Sequence, residues 1–211
     1  MATPRRVGTE TSETRARLLD VTEQIMLHDG YAAVSSRRVA KDAGVTAPLV
    51  HYYFGTLDDL FLAVLRRRVE QQLERQRRVV SSAQQPLRAL WAVATDTTRT
   101  GLLLEFMGLA NHRKVIRSEL AASSEQFRKL QLDLIQPHID RWQTVPDDVG
   151  PLELLVLINA IGQNMVLERS IGMDLGHAAT AALVERFLDR IEPNPTKTRH
   201  ARKSPTRTAG R

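Results

Sequence analysis

Apolar residues recur at helical spacing along most of the chain, and no stretch alternates apolar and polar residues as a half-buried strand would. One amphipathic stretch covers residues 12–28, and a longer one covers 56–80. The second half predicts further helices at 86–98, 103–110, 113–142, 151–171 and 176–191. Pro137 removes a backbone donor within the longest of these, so we expect a kink or an early end there. The pattern therefore predicts an all-α protein.

Residues 30–57 predict two short helices joined by a tight turn. Glycine permits the left-handed backbone at which helices end, and a hydroxyl side chain can accept from the free amides at a helix start. The predicted ends are Gly30 and Gly44, and the predicted caps are Ser35 or Ser36 and then Thr46. A turn of so few residues makes the two helices cross steeply. This arrangement is typical of helix-turn-helix proteins, in which one helix enters the major groove of DNA.

The second helix of this pair carries side chains that suit a DNA reader. The N-terminal residues of a reading helix face base edges, and one hydroxyl with several apolar groups suits thymine methyls. The predicted base-reading residues are Thr46, Ala47, Pro48 and Leu49. Basic and aromatic side chains around them can bind phosphate oxygens, which positions a protein without specifying sequence. The remaining predicted DNA-contacting residues are Ser35, Ser36, Arg37, Arg38, Lys41, His51, Tyr52 and Tyr53.

The segment from about residue 12 to residue 66 resembles the DNA-binding domain of the TetR/AcrR family of bacterial transcriptional regulators. The matching features are Gly-Tyr after the first helix, Val-Ala-x-x-Ala-Gly-Val-Thr at 39–46, and aromatics that end in Phe54 before a capping Thr56. The resemblance implies a transcriptional regulator that binds DNA as a homodimer. It further implies that a small molecule moves the two reading heads apart and releases the DNA.

Three positions depart from the family's pattern. Ser36 stands where the family usually has an apolar residue, and His51 where it usually has tyrosine. Leu57 stands where the family usually has a lysine that touches phosphate, which puts one backbone contact in doubt. The nearby Asp59 cannot replace that lysine. It suits a helix start instead, because Thr56 and Asp59 have the spacing of a capping box.

The chain is expected to divide into a DNA-binding domain and a helical domain for ligand binding and dimerisation. We place the first at 12–60, with the helix-turn-helix at 35–54, and the second at 61–192. Residues 1–11 and 193–211 are polar, and the latter segment is also basic, so both are expected to be disordered. The net charge of +6 is concentrated at the two ends, around an acidic middle. That distribution suits a nucleic-acid surface near the N-terminus.

The helix at 151–171 has apolar side chains on nearly every side, so it must be buried nearly all round. One face can pack within its own domain, and the other needs a partner. Together with 176–191 from each of two chains, it would form a four-helix bundle. A homodimer through residues 151–191 would present two reading heads to an inverted-repeat operator of double-stranded DNA. The alternative is that this helix is the central helix of a monomer.

The resemblance also implies a small-molecule site among the middle helices, and the candidate lining favours a largely apolar ligand. Asn159 and Gln163 lie one turn apart on an otherwise apolar helix. Either a ligand or an ordinary core partner would satisfy their amides. The predicted ligand-binding residues are Trp91, Thr95, Thr98, Phe106, Met107, Phe127, Leu130, Leu134, Asn159 and Gln163.

Catalytic and metal-binding motifs are weak in this sequence. The absence of cysteine excludes disulfides and thiolate metal sites. Glu105 and His112 lie two helical turns apart, which is a weak acid–base or metal pair, and a surface or capping histidine is the commoner case. No glycine-rich phosphate loop or nucleophile motif occurs. We therefore expect neither a catalytic site nor a cofactor.

Three classes of function remain open, and in each we expect a cytoplasmic protein without a membrane-spanning segment. The preferred class is a homodimeric repressor released by a small ligand. The second is a DNA-binding regulator without a small-molecule ligand, controlled by a protein partner. The third is a helical enzyme or lipid-binding protein whose helix-turn-helix is incidental.

Overall fold

The computed structural model describes residues 13–97, 100–142 and 149–193, which form helices joined by short connections. The helices are α1 (Glu13–Asp29), α2 (Ser36–Asp42), α3 (Ala47–Phe54), α4 (Leu57–Ser81), α5 (Pro86–Ala94), α6 (Thr100–Ala110), α7 (Lys114–Ile135), α8 (Pro151–Ser170) and α9 (His177–Ile191). Short 3₁₀ segments follow α1 at Tyr31–Ala33 and α7 at Gln136–Arg141. The predicted all-α class is confirmed for these residues. The predicted terminal segments, 1–11 and 193–211, lie outside them except for Pro193.

Local caps begin α2 and α3 where the sequence predicts them. Ser35 is the N-cap of α2, and its hydroxyl accepts from the Arg38 amide at 3.2 Å. Thr46 is the N-cap of α3, but its hydroxyl makes no cap hydrogen bond. The predicted position of the cap is thus confirmed, but the predicted hydrogen bond of its hydroxyl is absent. Pro48 has no amide hydrogen to donate, and the Leu49 amide donates to the Thr46 carbonyl at 3.0 Å instead. The Thr46 hydroxyl consequently stays available.

Two later helices end early for identifiable reasons. The regular helix α7 stops at Ile135, which confirms the early end expected near Pro137. Pro137 itself lies in the 3₁₀ segment that follows. Helix α5 stops at Ala94, earlier than the predicted residue 98. There the Thr95 hydroxyl donates to the Trp91 carbonyl at 2.9 Å, a local bond that competes with helix continuation.

The described helices form two compact units. The first unit comprises the described residues up to Glu74 together with Thr97–Phe127, and the second comprises Arg75–Asp96 and the described residues from Arg128 onward. Helices α4 and α7 contribute residues to both. This division rests on contacts and differs from the boundary after residue 60, because α6 and the start of α7 complete the core beneath the helix-turn-helix. The functions assigned to the two predicted domains remain predictions.

The core of the first unit is built by α1 to α4 and closed by α6 and α7. Leu18 and Met26 of α1 and Leu60 of α4 are fully buried in it. Phe106 of α6 and Ile116 of α7 join them. Burying each such side chain stabilises the fold by about 1.5–3 kcal/mol. The helix-turn-helix therefore rests on a support supplied partly from residues far along the chain.

The core of the second unit joins α5, α8 and α9. Leu87 and Leu90 of α5 pack with Leu155 of α8, and Leu188 and Ile191 of α9 complete the cluster. Within the described ranges, no helix has the length and apolar character needed to cross a membrane.

Candidate nucleic-acid interface

The turn between α2 and α3 holds both helices against the first core. Val39 and Ala40 of α2 are buried, as are Val50 and Phe54 of α3. Gly44 in the turn has φ +69°, a conformation that L side chains rarely adopt. Since one side of each helix is fixed by packing, the opposite side is presented to solvent in a defined orientation.

One face of α3 is exposed and carries several of the predicted DNA-contacting residues. The exposed residues are Thr46, Pro48, His51 and Tyr52. Positions 48, 51 and 52 share this face, because residues three and four apart are neighbours on a helix. Ala47 and Leu49 are half-buried, and Ala47 packs against the core. The side chains best placed to touch bases are therefore Thr46 and Pro48.

Arg37 and Lys41 are exposed on α2 and form no ion pair within the part of the chain that the structure describes. They lie four residues apart and so share one helical face. Arg38 differs, since it pairs with Asp29 and lies 3.6 Å from Asp42. An unpaired cation can bind phosphate without first losing an acidic partner. Arg37 and Lys41 are thus better placed for phosphate contacts than Arg38.

The aromatic residues at the end of α3 divide between the surface and the core. Tyr52 is 46% exposed, whereas Tyr53 is half-buried and packs against the core. Their rings meet edge to face, with centroids 5.4 Å apart. The Arg15 guanidinium of α1 lies 5.2 Å from the centroid of the Phe54 ring, a cation–π contact. Tyr53 thus supports α3, and Tyr52 is the tyrosine available for phosphate.

His51 is exposed near the end of α3, and its ring has a defined hydrogen bond. Its Nδ1 lies 2.9 Å from the carbonyl oxygen of Gly55. The Gly55 amide donates in return to the His51 carbonyl at 2.8 Å. These reciprocal bonds fix the imidazole near the end of α3.

A capping box begins α4 directly after α3. The Asp59 carboxylate accepts from the Thr56 amide at 3.1 Å, and the Asp59 amide donates to the Thr56 hydroxyl at 3.1 Å. The predicted capping box is confirmed. Leu57 packs against the core, and Asp58 pairs instead with Arg113 at 3.3 Å. The position where the family usually has lysine therefore contributes packing here.

Glu105 of α6 supports the helix-turn-helix in a way that sequence reasoning missed. Its carboxylate accepts from the Tyr31 amide at 2.7 Å, in the segment between α1 and α2. Gly30, with φ +81°, directs the backbone into this contact. An acidic residue within the apolar run of α6 was the available signal. The spacing in the sequence suggests only a weak pair of Glu105 with His112, and His112 is exposed.

Arginines on α4 hold that helix to its neighbours in the first unit. Arg67 pairs with Asp20 of α1 at 2.6 Å and with Glu23 at 3.3 Å. Arg66 pairs with Glu119 of α7 at 2.7 Å, and its hydrogen bond lowers the pKa of that carboxyl below its ordinary value. These charges therefore position α4 against α1 and α7.

The predicted ligand-binding residues are divided between the two units. Phe106 is buried in the first core and Trp91 in the second. Met107 and Gln163 are exposed, and Thr98 lies outside the described residues. The half-buried members are Thr95, Phe127, Leu130, Leu134 and Asn159. A cavity of about 170 Å³ in the first unit is lined by other residues: Tyr31, Ala32, Val34, Leu57, Phe61, Leu109, His112 and Arg113.

A chain of amides crosses the second unit and includes Asn159. The Gln76 Oε1 accepts from Gln131 Nε2 at 3.2 Å, and Gln131 Oε1 accepts from Asn159 Nδ2 at 2.9 Å. Asn159 Nδ2 also donates to the Leu155 carbonyl at 2.7 Å. Core partners thus satisfy the Nδ2 group of Asn159, which favours an ordinary core amide over a ligand contact.

Helix α8 buries one face in its own unit and exposes apolar residues on the other. Leu154, Leu155 and Ile158 are buried. The exposed apolar residues of α8 are Leu152, Val156, Leu157, Ala160 and Leu167. On α9, Leu183 is 55% exposed, close to the 52% exposure of Leu157. The two-sided apolar character predicted from the sequence is present, and the described residues leave one side of the helix uncovered. No cluster of metal-ligating side chains occurs among the described residues.

The sequence comparisons single out the same N-terminal region. Residues 18–64 match the family described as bacterial regulatory proteins, tetR family. A curated relative, the HTH-type transcriptional activator FasR of Mycolicibacterium smegmatis, is 33% identical over 76 residues, which are 36% of this chain and 32% of that protein. The match thus spans about a third of the length of the relative.

Solved structures share the fold over most of the chain. A TetR transcription regulator from Haloarcula marismortui has a TM-score of 0.70 and 20% identity, with 85% of this chain and 98% of that chain covered. Reduced NemR of E. coli has a TM-score of 0.69 and 18% identity, covering 86% of this chain and all (100%) of that one. A putative transcriptional regulator from Saccharomonospora viridis in complex with choline has a TM-score of 0.64 and 19% identity, with 76% of this chain and 86% of that chain covered.

At these identities, the structural likeness shows the fold alone. The family match at 18–64 covers the helix-turn-helix whose caps, turn and exposed helix face are described above. The segment at 18–64, which holds the helix-turn-helix, therefore matches the tetR family of bacterial regulatory proteins, and the described helices share the fold of solved TetR regulators.

Proposed function

We propose that the protein is a homodimeric repressor that binds an inverted-repeat operator through α3 and is released by a small, largely apolar ligand. The observation that carries DNA reading is the exposed face of α3 beside the unpaired cations of α2. Thr46 and Pro48 offer a hydroxyl and an apolar surface for base edges, which suits thymine methyls. Arg37, Lys41 and Tyr52 surround them with groups that bind phosphate.

Dimerisation is proposed through the exposed apolar side chains of α8 and α9. A soluble protein rarely leaves such a row open to water, and a second copy of the same helices would cover it. Leu157 and Leu183 are the most informative positions, since both are more than half exposed. Ile158, by contrast, is 3% exposed and belongs to the core of its own chain.

Release by a small ligand is the most specific part of the proposal. Its support is the family's fold and a structural neighbour in complex with choline, although choline is a cation and our expected ligand is largely apolar. The internally satisfied Asn159 favours the second candidate, a regulator that has no small-molecule ligand and is controlled by a protein partner. FasR is named an activator, whereas we propose repression. Whether such a regulator represses or activates a gene depends on where its operator lies relative to the promoter.

Selection of purified protein on fragmented genomic DNA at moderate salt tests the DNA-reading proposal. We expect an inverted-repeat motif whose half-sites are separated by whole helical turns. Enrichment without a motif would mean non-specific charge attraction and would remove the operator proposal. A screen of small molecules against the selected operator then separates the two regulators, because only the first is released by a ligand.

A further inference from the structure

We propose that His51 is a phosphate-binding residue whose contact with DNA forms only when its imidazole is protonated. This inference rests on the proposed docking of α3 on DNA, and it adds a dependence on pH to that interface. It is carried by the hydrogen-bond geometry of one exposed side chain.

The Gly55 carbonyl determines which nitrogen of His51 bears the hydrogen. A carbonyl oxygen can only accept, so Nδ1, at 2.9 Å from it, must donate. The returning bond from the Gly55 amide to the His51 carbonyl, at 2.8 Å, holds both partners in place. Gly55 has φ +68°, which closes α3 in the conformation that this pair requires.

The neutral imidazole therefore presents a lone pair, not a donor, at Nε2. A neutral histidine has one N–H, and here the Gly55 carbonyl occupies it. Two acceptors face each other if a phosphate oxygen approaches Nε2. Protonation supplies a second N–H and a positive charge, so that Nδ1 keeps its bond to Gly55 while Nε2 donates to phosphate. Among side chains in general, imidazole is the one whose charge change falls nearest to neutral pH.

His51 lies on the exposed face of α3 that we propose for DNA binding. His51 is exposed on the same helical face as Pro48 and Tyr52, three residues and one residue away along the chain. A cation on this face binds phosphate whatever the base sequence. The contact should therefore strengthen binding without altering the preferred site.

The acidic residues near α3 in the sequence have partners other than His51 in the part of the chain that the structure describes. Charged residues on α1, α2 and the first turn of α4 include Arg15 of α1, Arg37, Arg38, Lys41 and Asp42 of α2, and Asp58 and Asp59 of α4. Asp42 pairs with Arg38, Asp58 with Arg113, and Asp59 with Thr56. Within the described ranges, the Gly55 carbonyl is the polar partner of His51. Phosphate is thus free to become the second partner of the protonated ring.

The test measures affinity against pH for the full chain and two variants. The probe is a mixed-sequence duplex of about 30 base pairs, roughly three helical turns, at low salt. Wild-type affinity should rise about tenfold or more for each reading head between about pH 8 and pH 5.5, the scale of one charge-assisted hydrogen bond. His51→Gln should bind with little change over this range. His28→Gln, which removes an exposed histidine at the end of α1, should keep the wild-type rise.

A flat wild-type profile, or a His51→Gln profile that rises like the wild type, would overturn the inference. Absence of DNA binding at every pH would instead remove the proposed function itself. Nitrogen-15 NMR of the free protein gives an independent readout that does not depend on how the variant folds. At alkaline pH, the His51 ring should carry its hydrogen on Nδ1, and an Nε2-protonated tautomer would also overturn the inference.

Discussion

Glu105 and Glu192 each place a carboxylate on backbone amides from a distant part of the chain. Glu105 accepts from the Tyr31 amide at 2.7 Å. Glu192 lies just after α9 and accepts from the Leu87 amide at 3.0 Å and the Arg88 amide at 3.2 Å. The latter amides are free donors at the start of α5, so Glu192 acts as a cap supplied from elsewhere in the fold.

Replacing Glu105 should weaken the support of the helix-turn-helix. Glu105→Ala leaves the Tyr31 amide without its acceptor and should lower the free energy of unfolding by about 1–3 kcal/mol. Glu105→Gln keeps an acceptor oxygen and should recover most of that loss. Urea unfolding of the three proteins measures the difference. Equal stability of wild type and Glu105→Ala would show that the contact is not needed.

Glu192 should make stability depend on pH. Burial raises the pKa of this carboxyl above its ordinary value near 4.5, and the Leu87 and Arg88 amides offset only part of that effect. Between the unfolded and folded pKa values, the folded protein therefore holds a proton that the unfolded chain has released. The resulting stabilisation is complete below about pH 4.5 and is lost as pH rises through the raised pKa.

Glu192→Gln should remove this contribution. Urea unfolding of wild type and variant over an acidic to neutral pH series measures it, as the difference between their two profiles. Glu125→Gln, an exposed position on α7, serves as the matched control and should follow the wild type. Parallel profiles for Glu192→Gln and wild type would contradict the prediction.

At the scale of elements, α2 and α3 have separate roles in the proposed interface. The unpaired cations Arg37 and Lys41 lie on α2, and the exposed Thr46 hydroxyl lies at the start of α3. A phosphate contact acts on every sequence alike, whereas a base contact changes which sequence is preferred. The two helices should therefore respond differently to substitution.

Arg37→Ala or Lys41→Ala should weaken binding to all duplexes and reduce the slope of log affinity against log salt by about 1 per reading head. Thr46→Ala should change the preferred base at one position, at about 1–3 kcal/mol of discrimination, with an unchanged salt slope. Salt titrations and repeated genomic selection measure these effects. Arg128→Ala, at an exposed site on α7, is the control for lost charge. An unaltered preferred site in Thr46→Ala would argue against this docking of α3.

At the scale of the whole molecule, the exposed apolar side chains of α8 and α9 determine the expected assembly. Leu157→Asp or Leu183→Asp would bury an unpaired carboxylate in the proposed dimer, at a cost of several kcal/mol. We expect soluble monomers with much weaker affinity for the inverted repeat. Sedimentation gives the mass, and helical circular dichroism confirms folding.

Val79→Asp provides the matched control, since Val79 is an exposed apolar residue on α4. This variant should remain dimeric. A Leu157→Asp or Leu183→Asp protein that keeps the wild-type dimer mass would disprove the interface. Ile158→Asp would not test it, because Ile158 is buried within its own chain and its loss would unfold the unit.

The sequence by itself determined the helices, the helix-turn-helix and several of the helix ends. Glycine at positive φ, proline in a first or last turn, and a Thr-x-x-Asp box act on residues a few positions away. Such signals are complete within a short window. Gly44, Pro137 and the Thr56–Asp59 pair therefore lie where the sequence predicts them to act.

Only the tertiary structure decided which distant residues meet. Glu105 and Tyr31 are 74 positions apart, and Glu192 and Leu87 are 105 apart. Helical periodicity gives the face on which a residue lies, but not the helix that packs against that face. For the same reason, the sequence showed that α8 is apolar all round, and only packing revealed that Ile158 faces inward and Leu157 outward. The availability of the Thr46 hydroxyl and the tautomer of His51 likewise depend on hydrogen bonds that residue type alone does not fix.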